Sequence, residues 1–336
     1  MAEREGAPAV EALIRRMRPR RRIEGLCAVL LPYRDEAADL ESFQRLVATT
    51  LDAGLTPAVN MDTGYGPLLG AKERLEVLRA TRSVAGQRPF VAGAFIGDGP
   101  HDIVARYRAE VDVIRRHGGT PILFPSPGLK AMAPRDRVRA YRMIVQGNGP
   151  HIAFELGTMF APFGYLFDDE SFRELLGIEE ICGLKHSSLQ RELEWRRLAS
   201  RDRERPGFRL YTGNDLAIDM VMYGSDYLLG LSAFHPAAFA ARDRLWERGD
   251  GGFYALNDAL QALGNFAFRA PVPAYKHNAA QFLHLRGLIP APETHPRSPR
   301  RPDSDIEVLA GLLEGIERQL ARQRPDEGSG ANTQTG

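Results

Sequence analysis

Short apolar runs alternate with amphipathic segments along most of the chain. Residues 25–32 form a continuous apolar run that ends in Pro32, which is typical of a strand buried on both faces of a parallel sheet. Residues 40–53 then place apolar side chains at helical spacing and end at Gly54, as a helix does. The same alternation recurs through eight strand-then-helix units. The predicted strands lie at 25–32, 56–60, 89–95, 120–124, 151–155, 180–185, 208–211 and 227–231, and the predicted helices at 40–53, 71–82, 102–117, 135–146, 170–176, 189–200, 215–223 and 236–248.

This alternation predicts the fold class. Strands separated by helices imply right-handed parallel crossovers, and eight such units in about 230 residues suit a closed barrel. The competing arrangement, an open doubly wound sheet, places a glycine-rich phosphate turn after its first strand, and residues 31–35 (LPYRD) contain no glycine. We therefore predict an α/β fold, a (β/α)8 TIM barrel over residues 23–249 with a C-terminal helical extension over 250–323. Residues 1–22 are predicted to be an N-terminal arm and residues 324–336 a disordered tail.

Composition and charge narrow the classes of protein. The 336 residues are 43% hydrophobic and 26% charged, as in a globular protein with a large core. The formal net charge of +1 gives no reason to expect nucleic acid or an anionic membrane as a partner. The chain contains no apolar run of about 18 residues that could span a membrane, and Cys27 and Cys182 lack the spacing of a metal site. We expect a cytoplasmic protein without a metal and without a membrane partner.

The distribution of basic residues singles out one side chain. The chain has 44 basic residues, of which only Lys72, Lys130, Lys185 and Lys276 are lysines. Arg stays protonated in proteins, whereas a desolvated Lys can lose its proton and attack a carbonyl carbon. Lys185 ends the sixth predicted strand, at the face where barrels of this kind carry their sites. We predict that Lys185 forms a Schiff base with a keto substrate, and the alternative is a structural ion pair between Lys185 and Glu155.

Four stretches of the chain contain short motifs. They read MDTGY at 61–65, followed by Leu69 and by Glu73-Arg74; GLKHSS at 183–188; GND at 213–215 with GSDYLLG at 224–230; and Pro273 to Lys276 with LRGL at 285–288. In this order and spacing the chain resembles the dihydrodipicolinate synthase / N-acetylneuraminate lyase family of class I aldolases over about residues 23–320.

The resemblance implies a function. It implies that Lys185 is the Schiff-base lysine of a lyase (a class I aldolase that cleaves a carbon–carbon or carbon–oxygen bond) acting on pyruvate or another 2-keto acid. It also implies that the partner is a small-molecule keto-acid substrate and that no cofactor is needed beyond the covalent lysine imine. The family further implies a homo-oligomer, either a dimer or a tetramer.

Several positions depart from the family's pattern. Asp62 and Thr63 stand where the family has a carboxylate-binding pair of threonines. Phe154, which cannot carry a proton, stands where the family has a proton-relaying tyrosine, while Glu155 and Tyr65 replace an asparagine and a glutamate. We expect Tyr65 and Glu155 to be the catalytic partners of Lys185, with His186 and Asp62 as further candidates for proton transfer. The predicted substrate-binding residues are Asp62, Thr63, Gly64, Phe154, Gly213 and Ser232.

Three functions stay open at this point. A Schiff-base lyase and a keto-sugar-acid dehydratase of the same fold would both use Lys185 and would differ in their products. A non-catalytic barrel that binds a small ligand is favoured by the absence of a tyrosine at Phe154. Trapping of a Schiff base on Lys185 would separate the first two functions from the third.

Overall fold

The computed structural model describes residues 10–97 and 102–323. The predicted disordered tail at 324–336 and the first nine residues of the predicted N-terminal arm lie outside the described residues. None of the helices in the described ranges has the length and hydropathy needed to cross a bilayer.

Eight parallel strands in the described residues close into a barrel, so the predicted (β/α)8 TIM barrel is confirmed. Each strand pairs with its neighbours in chain order, and the first pairs with the last, for example Leu26 with Leu228. The strands are β1 (Gly25–Ala28), β2 (Thr56–Val59), β3 (Val91–Ala94), β4 (Thr120–Leu123), β5 (His151–Leu156), β6 (Ile181–Ser187), β7 (Arg209–Thr212) and β8 (Asp226–Leu229).

Amphipathic helices cover the outside of the barrel, and polar side chains begin several of them. Asp39 accepts a hydrogen bond from the Ser42 amide at the start of one helix, and Asp168 does the same for the Ser171 amide at another. The helices are α1 (Val10–Arg16), α2 (Leu40–Asp52), α3 (Ala71–Ala85), α4 (Ile103–Arg116), α5 (Pro127–Ala131), α6 (Pro134–Val145), α7 (Asp169–Leu176), α8 (Arg191–Glu204), α9 (Pro236–Arg248), α10 (Gly252–Ala267), α11 (Tyr275–Leu285) and α12 (Asp305–Arg322).

The alternation of side chains along each strand separates an inner core from an outer one. On β5 and β6, Phe154 is the register neighbour of Lys185, and Glu155 is the register neighbour of His186. Phe154 belongs to the inward-facing core, so Lys185 faces the lumen as well. Glu155 and His186 therefore face the surrounding helices.

Two local features differ from the prediction. The predicted helix at 215–223 is only a short 3-10 helix, Ile218–Tyr223, and the Asp215 carboxylate bonds to the Leu231 amide. A small hairpin pairs Tyr33–Arg34 with Ala37–Ala38 directly after β1, where the sequence analysis predicts no strand.

The C-terminal extension packs onto the barrel through the outer core. Leu260, Phe282 and Leu309, from α10, α11 and α12, are fully buried in the same cluster as the helices around the barrel. Arg269 donates to both carboxylate oxygens of Asp305 at 2.8 and 2.6 Å, which ties the end of α10 to the start of α12. This packing holds the first turn of α11 against the C-terminal mouth of the barrel.

Candidate active site

Lys185 lies at the C-terminal mouth of the barrel with only 7% of its surface exposed. Its Nζ is 4.4 Å from the ring centroid of Phe154. A Cβ at position 213 would lie 2.9 Å from Lys185 Cε and 2.1 Å from Ser187 Oγ, so Gly213 leaves the space that the lysine occupies. Phe154 and Gly213, which are both predicted to bind substrate, thus lie next to Lys185.

Burial determines the charge state of Lys185. Desolvation lowers the pKa of the Lys185 ammonium below its ordinary value, and the carboxylates of Asp215 and Asp62 offset part of this decrease. Burial conversely raises the pKa of the Asp215 carboxyl, which the Leu231 amide and Lys185 lower again. Asp215 is 4% exposed, and its Oδ1 accepts a hydrogen bond from the Leu231 amide at 2.8 Å. Each of the two groups therefore partly offsets the effect of burial on the pKa of the other.

Asp62 lies in the turn after β2 and forms an ion pair with a second buried lysine. Lys276 Nζ donates to both Asp62 oxygens at 3.0 and 3.1 Å. The Tyr275 hydroxyl donates to Asp62 Oδ2 at 3.1 Å. Because this commits the one proton of Tyr275, the Thr63 hydroxyl donates to the Tyr275 oxygen, 2.8 Å away. Asp62 and Thr63 therefore meet two side chains of α11.

Tyr275 fits at the mouth because its neighbours are flat or small. Its ring stacks on Phe268 with centroids 4.2 Å apart and planes 17° apart. A Cβ at Gly230, just after β8, would lie 3.0 Å from the Tyr275 ring and 3.2 Å from Thr63 Oγ1. The pKa of Tyr275 is raised well above its ordinary value, first by burial and then by the charge of Asp62. Tyr275 therefore stays protonated and acts as a hydrogen-bond donor.

Tyr65 and Gly64 follow Thr63 in the same turn but face the loops above the barrel. The Tyr65 ring packs against Tyr33 and His295, each with centroids 5.6 Å away. Burial raises the pKa of Tyr65 above its ordinary range, so this phenol does not exchange a proton readily at neutral pH. Gly64 packs close to the Val29 carbonyl. The aromatic packing of Tyr65 argues against its predicted role in proton transfer.

Glu155 and His186 belong to a buried network behind the strands, which corrects the expectation that Glu155 moves protons for Lys185. Glu155 Oε1 is 2.5 Å from His186 Nδ1 and 3.1 Å from Arg197 Nε on α8, and the Phe167 amide donates to Glu155 Oε2 at 2.9 Å. Burial raises the pKa of Glu155, whereas the neighbouring His186 and Arg197 side chains lower it, to about 2. Glu155 faces the helices outside β5, so its carboxylate does not reach a substrate inside the barrel. The alternative ion pair between Lys185 and Glu155 is absent for the same reason.

A second buried network continues along the ends of β6 and β7. Asn214 Oδ1 accepts from the amides of Ser188 and Leu189 at 3.0 and 2.7 Å. Glu194 on α8 accepts hydrogen bonds from Asn214 and Ser225, both at 2.6 Å. These contacts fix the chain directly after Lys185, and so they hold the lysine in position.

Phe154 and Ser232, two further predicted site residues, lie on opposite sides of the barrel wall. Phe154 packs against Phe124 inside the barrel, at a centroid distance of 4.9 Å, and so presents an apolar surface to Lys185. Ser232 donates to the Leu229 carbonyl at 2.8 Å and lies near the outward-facing Cys27 thiol. The Ser232 hydroxyl thus faces the helix layer, which corrects the expectation that it binds substrate.

Sequence reasoning missed Tyr275, Lys276, Asp215 and Ser187 as members of this site. Ser187 Oγ is buried beside Lys185 and has no hydrogen-bond partner among the described residues. Lys276 carried a signal in the sequence, because it is one of the four lysines. In the structure it is 4% exposed, and so it is buried like Lys185. Tyr275 lies within the stretch Pro273 to Lys276, but the sequence gives no sign that the first turn of this distant helix reaches the mouth. The ranges 10–97 and 102–323 contain no group of acidic, His and Cys side chains arranged to hold a metal.

The described residues thus form a closed (β/α)8 barrel that carries a buried lysine at its C-terminal mouth. Residues 32–291 match a family model described as "Protein of unknown function (DUF993)". Because this match spans most of the chain, the protein belongs to that family. A curated relative, the 4-hydroxy-tetrahydrodipicolinate synthase of Kosmotoga olearia, is 24% identical over 207 residues, which cover 61% of this chain and 68% of the relative.

Solved structures confirm the fold. Dihydrodipicolinate synthase from Thermotoga maritima superposes with a TM-score of 0.76 at 18% identity, covering 88% of this chain and 99% of that one. A prophage protein of the dihydrodipicolinic acid synthase family from E. coli K12, solved in complex with pyruvate, superposes with a TM-score of 0.75 at 15% identity. This match covers 88% of this chain and 98% of that one. The chain therefore shares its fold with these proteins.

Proposed function

We propose that this protein is a Schiff-base lyase in which Lys185 is the nucleophile. The observation that carries the proposal is the burial of Lys185 at the C-terminal mouth, against Phe154 and in the space left by Gly213. Desolvation frees the lone pair of the amine, and a neutral amine attacks carbonyl carbons. No cofactor is needed for this chemistry, because the lysine imine is itself the electron sink.

The reaction begins with attack of Lys185 Nζ on the carbonyl carbon of the substrate. A carbon–nitrogen bond forms, and the carbonyl oxygen takes up protons and leaves as water, which gives a protonated imine. In an aldol cleavage, the bond between the α and β carbons then breaks, and its electrons move to the iminium nitrogen as an enamine. The β hydroxyl loses its proton to a base and becomes a carbonyl. Protonation of the α carbon and addition of water to the iminium release the second product and free Lys185.

The carboxylates at the mouth are the proposed proton-transfer groups. Asp215, whose pKa is raised by burial, can hold a proton beside Lys185 and give it to the departing oxygen. Lys276 and Tyr275 both donate hydrogen bonds to Asp62, and they hold its side chain where it can accept the proton of a hydroxyl. These two residues replace Tyr65 and Glu155 in the proposed mechanism.

The resemblance makes pyruvate or another 2-keto acid the first substrate to test. One similar structure is a complex with pyruvate, which supports this substrate class for that protein. A keto-sugar-acid dehydratase would form the same imine and break a carbon–oxygen bond instead. The homo-oligomer, a dimer or a tetramer, remains a proposal that light scattering of the purified protein would test.

A non-catalytic barrel is the second candidate function, and Phe154 is the observation that favours it. No hydroxyl stands at this position to relay a proton, and the Phe154 side chain is fully buried. Such a protein would bind its ligand without forming a covalent bond to Lys185.

Borohydride reduction separates the two candidates. We expect that incubation with a panel of keto compounds and sodium cyanoborohydride adds to the protein the mass of one substrate molecule less one oxygen atom, because the carbonyl oxygen leaves as water and the imine is then reduced. Peptide mapping should locate this adduct at Lys185. Lys185→Arg keeps the positive charge and should give no adduct. Lys72→Arg is the matched control, because Lys72 is exposed on α3, and its adduct should equal that of the wild type. Absence of an adduct with every compound would favour the non-catalytic barrel.

A further inference from the structure

Four charged side chains meet at the mouth of the barrel, and they leave no surplus positive charge. Lys276 is committed to Asp62, since both Asp62 oxygens lie within 3.1 Å of its Nζ. Lys185 is influenced by Asp215 and Asp62, and these two carboxylates are the charges of the described residues that act on its amine. Lys276 is already paired with Asp62, so it is not available to a further anion, whereas the carboxylates of Asp215 and Asp62 favour a cationic iminium on Lys185.

The hydrogen-bonding groups at the mouth present acceptors to a ligand. The Tyr275 proton goes to Asp62, and the Thr63 proton goes to Tyr275. Thr63 thus has only lone pairs to offer, although a threonine is otherwise a suitable donor to a carboxylate. Asp62 is the most open member of the set, with 25% of its side chain exposed, and its carboxylate also accepts.

These acceptors match hydroxyl groups. An alcohol on the carbon next to the substrate carbonyl can donate to Asp62 or to Thr63 without any change in their bonds to Tyr275 and Lys276. Ser187, a neutral hydroxyl buried beside Lys185 without a partner among the described residues, can pair with a second hydroxyl. A substrate carboxylate in the same place would meet the Asp62 carboxylate, and two like charges in a partly buried site repel strongly.

We propose that the substrate of the Lys185 site is a hydroxylated ketone or aldehyde with no carboxylate next to its carbonyl carbon, and that Asp62 accepts a hydrogen bond from a substrate hydroxyl. The proposal rests on the proposed Schiff-base function, since it names the substrate class of that same site. It narrows the class away from 2-keto acids, towards uncharged hydroxy-carbonyl compounds of the sugar type.

Hydroxyacetone and pyruvate form a matched pair of probes, because they differ only in the group attached to the keto carbon. One carries a hydroxymethyl group and the other a carboxylate. The rate of cyanoborohydride trapping on Lys185 in the full-length protein is measured for both and divided by the rate for free Nα-acetyl-lysine. We expect the normalised rate with hydroxyacetone to exceed that with pyruvate by at least about tenfold, as a modest like-charge contact gives such a factor.

Asp62→Asn is the diagnostic variant, since it keeps the shape of the side chain and removes its charge. We expect it to shift the ratio of the two normalised rates towards pyruvate by at least about tenfold. Glu41→Gln is the matched control, because Glu41 is exposed on α2, and it should leave the ratio unchanged. The wild-type ratio needs no variant, so it decides the proposal even where Asp62→Asn fails to fold.

The outcomes separate this proposal from the function on which it rests. Absence of an adduct on Lys185 with either probe and with the whole panel overturns the Schiff-base function. An adduct that forms equally fast or faster with pyruvate overturns the substrate class and leaves the Schiff-base function standing. A preference for hydroxyacetone that Asp62→Asn reduces supports both.

Discussion

The position of one proton decides whether Lys185 can react. A lysine attacks a carbonyl only in its neutral form, and burial beside Phe154 shifts Lys185 towards that form. The carboxylates of Asp215 and Asp62 act in the opposite direction, and they also stabilise the iminium that forms later. Burial thus favours the neutral amine that attacks, and the two carboxylates stabilise the cationic iminium that forms from it.

This balance predicts a pH dependence at the residue scale. The trapping rate should rise with pH up to the lowered pKa of Lys185 and then level off, because the neutral amine predominates above that pKa. Asp215→Asn removes a charge that raises the pKa of Lys185, so the midpoint of the profile should move to lower pH. Trapping rates measured in constant ionic strength buffers from acidic to alkaline pH give both midpoints.

A matched control for this shift is Asp219→Asn. Asp219 forms an ion pair with Arg191 on the surface close to Asp215 in the chain, and it does not act on Lys185. Its profile should coincide with that of the wild type. A midpoint that stays in place in Asp215→Asn, or that moves to higher pH, would contradict the electrostatic role of Asp215.

Single residues differ in how far the sequence could predict them. Lys185 was predictable because rarity of lysine, an apolar strand and a strand end all coincide at one position. Glu155 was misplaced because a one-residue step along a strand reverses the side that a side chain faces, and the sequence does not fix that step where both sides are buried. Tyr275 could not be predicted, since its contact with Thr63 joins residues more than 200 positions apart.

At the scale of elements, the first turn of α11 completes the site that the barrel begins. Tyr275 and Lys276 are consecutive residues, and both bond to Asp62 in the turn after β2. Lys276 also lies 5.8 Å above the Tyr65 ring, so it contacts that turn a second time. The turn and the helix should therefore be coupled energetically.

This coupling predicts a large effect of Lys276→Met on stability. The substitution keeps most of the side-chain volume and leaves Asp62 without its cation, so we expect a loss of about 3 kcal/mol, as for other buried pairs that lose one partner. Lys72→Met is the matched control. Lys72 forms an ion pair with Glu76 at 4.0 Å with 90% of its side chain exposed, and its removal should change stability by less than about 0.5 kcal/mol. Urea denaturation followed by circular dichroism measures both.

The double variant Asp62→Asn/Lys276→Met tests whether the effect belongs to the pair. Removal of both charges leaves no unpaired ion, so the double variant should be more stable than Lys276→Met alone. Strict additivity of the two single effects would show that Lys276 contributes by packing instead of by pairing with Asp62.

The elements themselves were largely predictable, with one instructive failure. Apolar runs and helical periodicity place β1 to β8 and the helices α2, α3 and α9 to within a few residues, because these patterns follow directly from burial. The segment at 215–223 carries the same helical pattern but forms only one short 3-10 helix. Asp215, at the start of the predicted helix, accepts a hydrogen bond from the distant Leu231 amide, and no local pattern contains that contact.

At the scale of the whole molecule, the barrel and its extension share one core. The outer hydrophobic cluster runs without a break from the helices around the barrel into α10, α11 and α12. Trp246, at the end of α9, contacts Phe253 in α10 with ring centroids 4.7 Å apart. The boundary at residues 249 and 250 thus separates two patterns in the sequence, but the buried side chains continue across it.

This continuity predicts that a chain ending at residue 249 does not fold. Truncation there would expose the apolar side chains that α10 to α12 cover, and it would also remove Tyr275 and Lys276 from the site. We expect an aggregated or unfolded product without Lys185 adducts, whereas a chain ending at residue 323 should trap carbonyl compounds as the full chain does. Circular dichroism and cyanoborohydride trapping of the two truncated chains provide the comparison.

The same continuity predicts a single cooperative transition for the full chain. Trp195 lies on α8 beside Tyr223, far along the chain from the extension, whereas Trp246 touches the extension directly. Trp195→Phe and Trp246→Phe each leave one tryptophan, so their fluorescence reports the barrel wall and the junction separately. The two denaturation curves should coincide in shape once the stability change of each substitution is taken into account. An early transition seen only at Trp246, with a folded barrel surviving it, would show that the extension is an independent domain and that the barrel is stable without it.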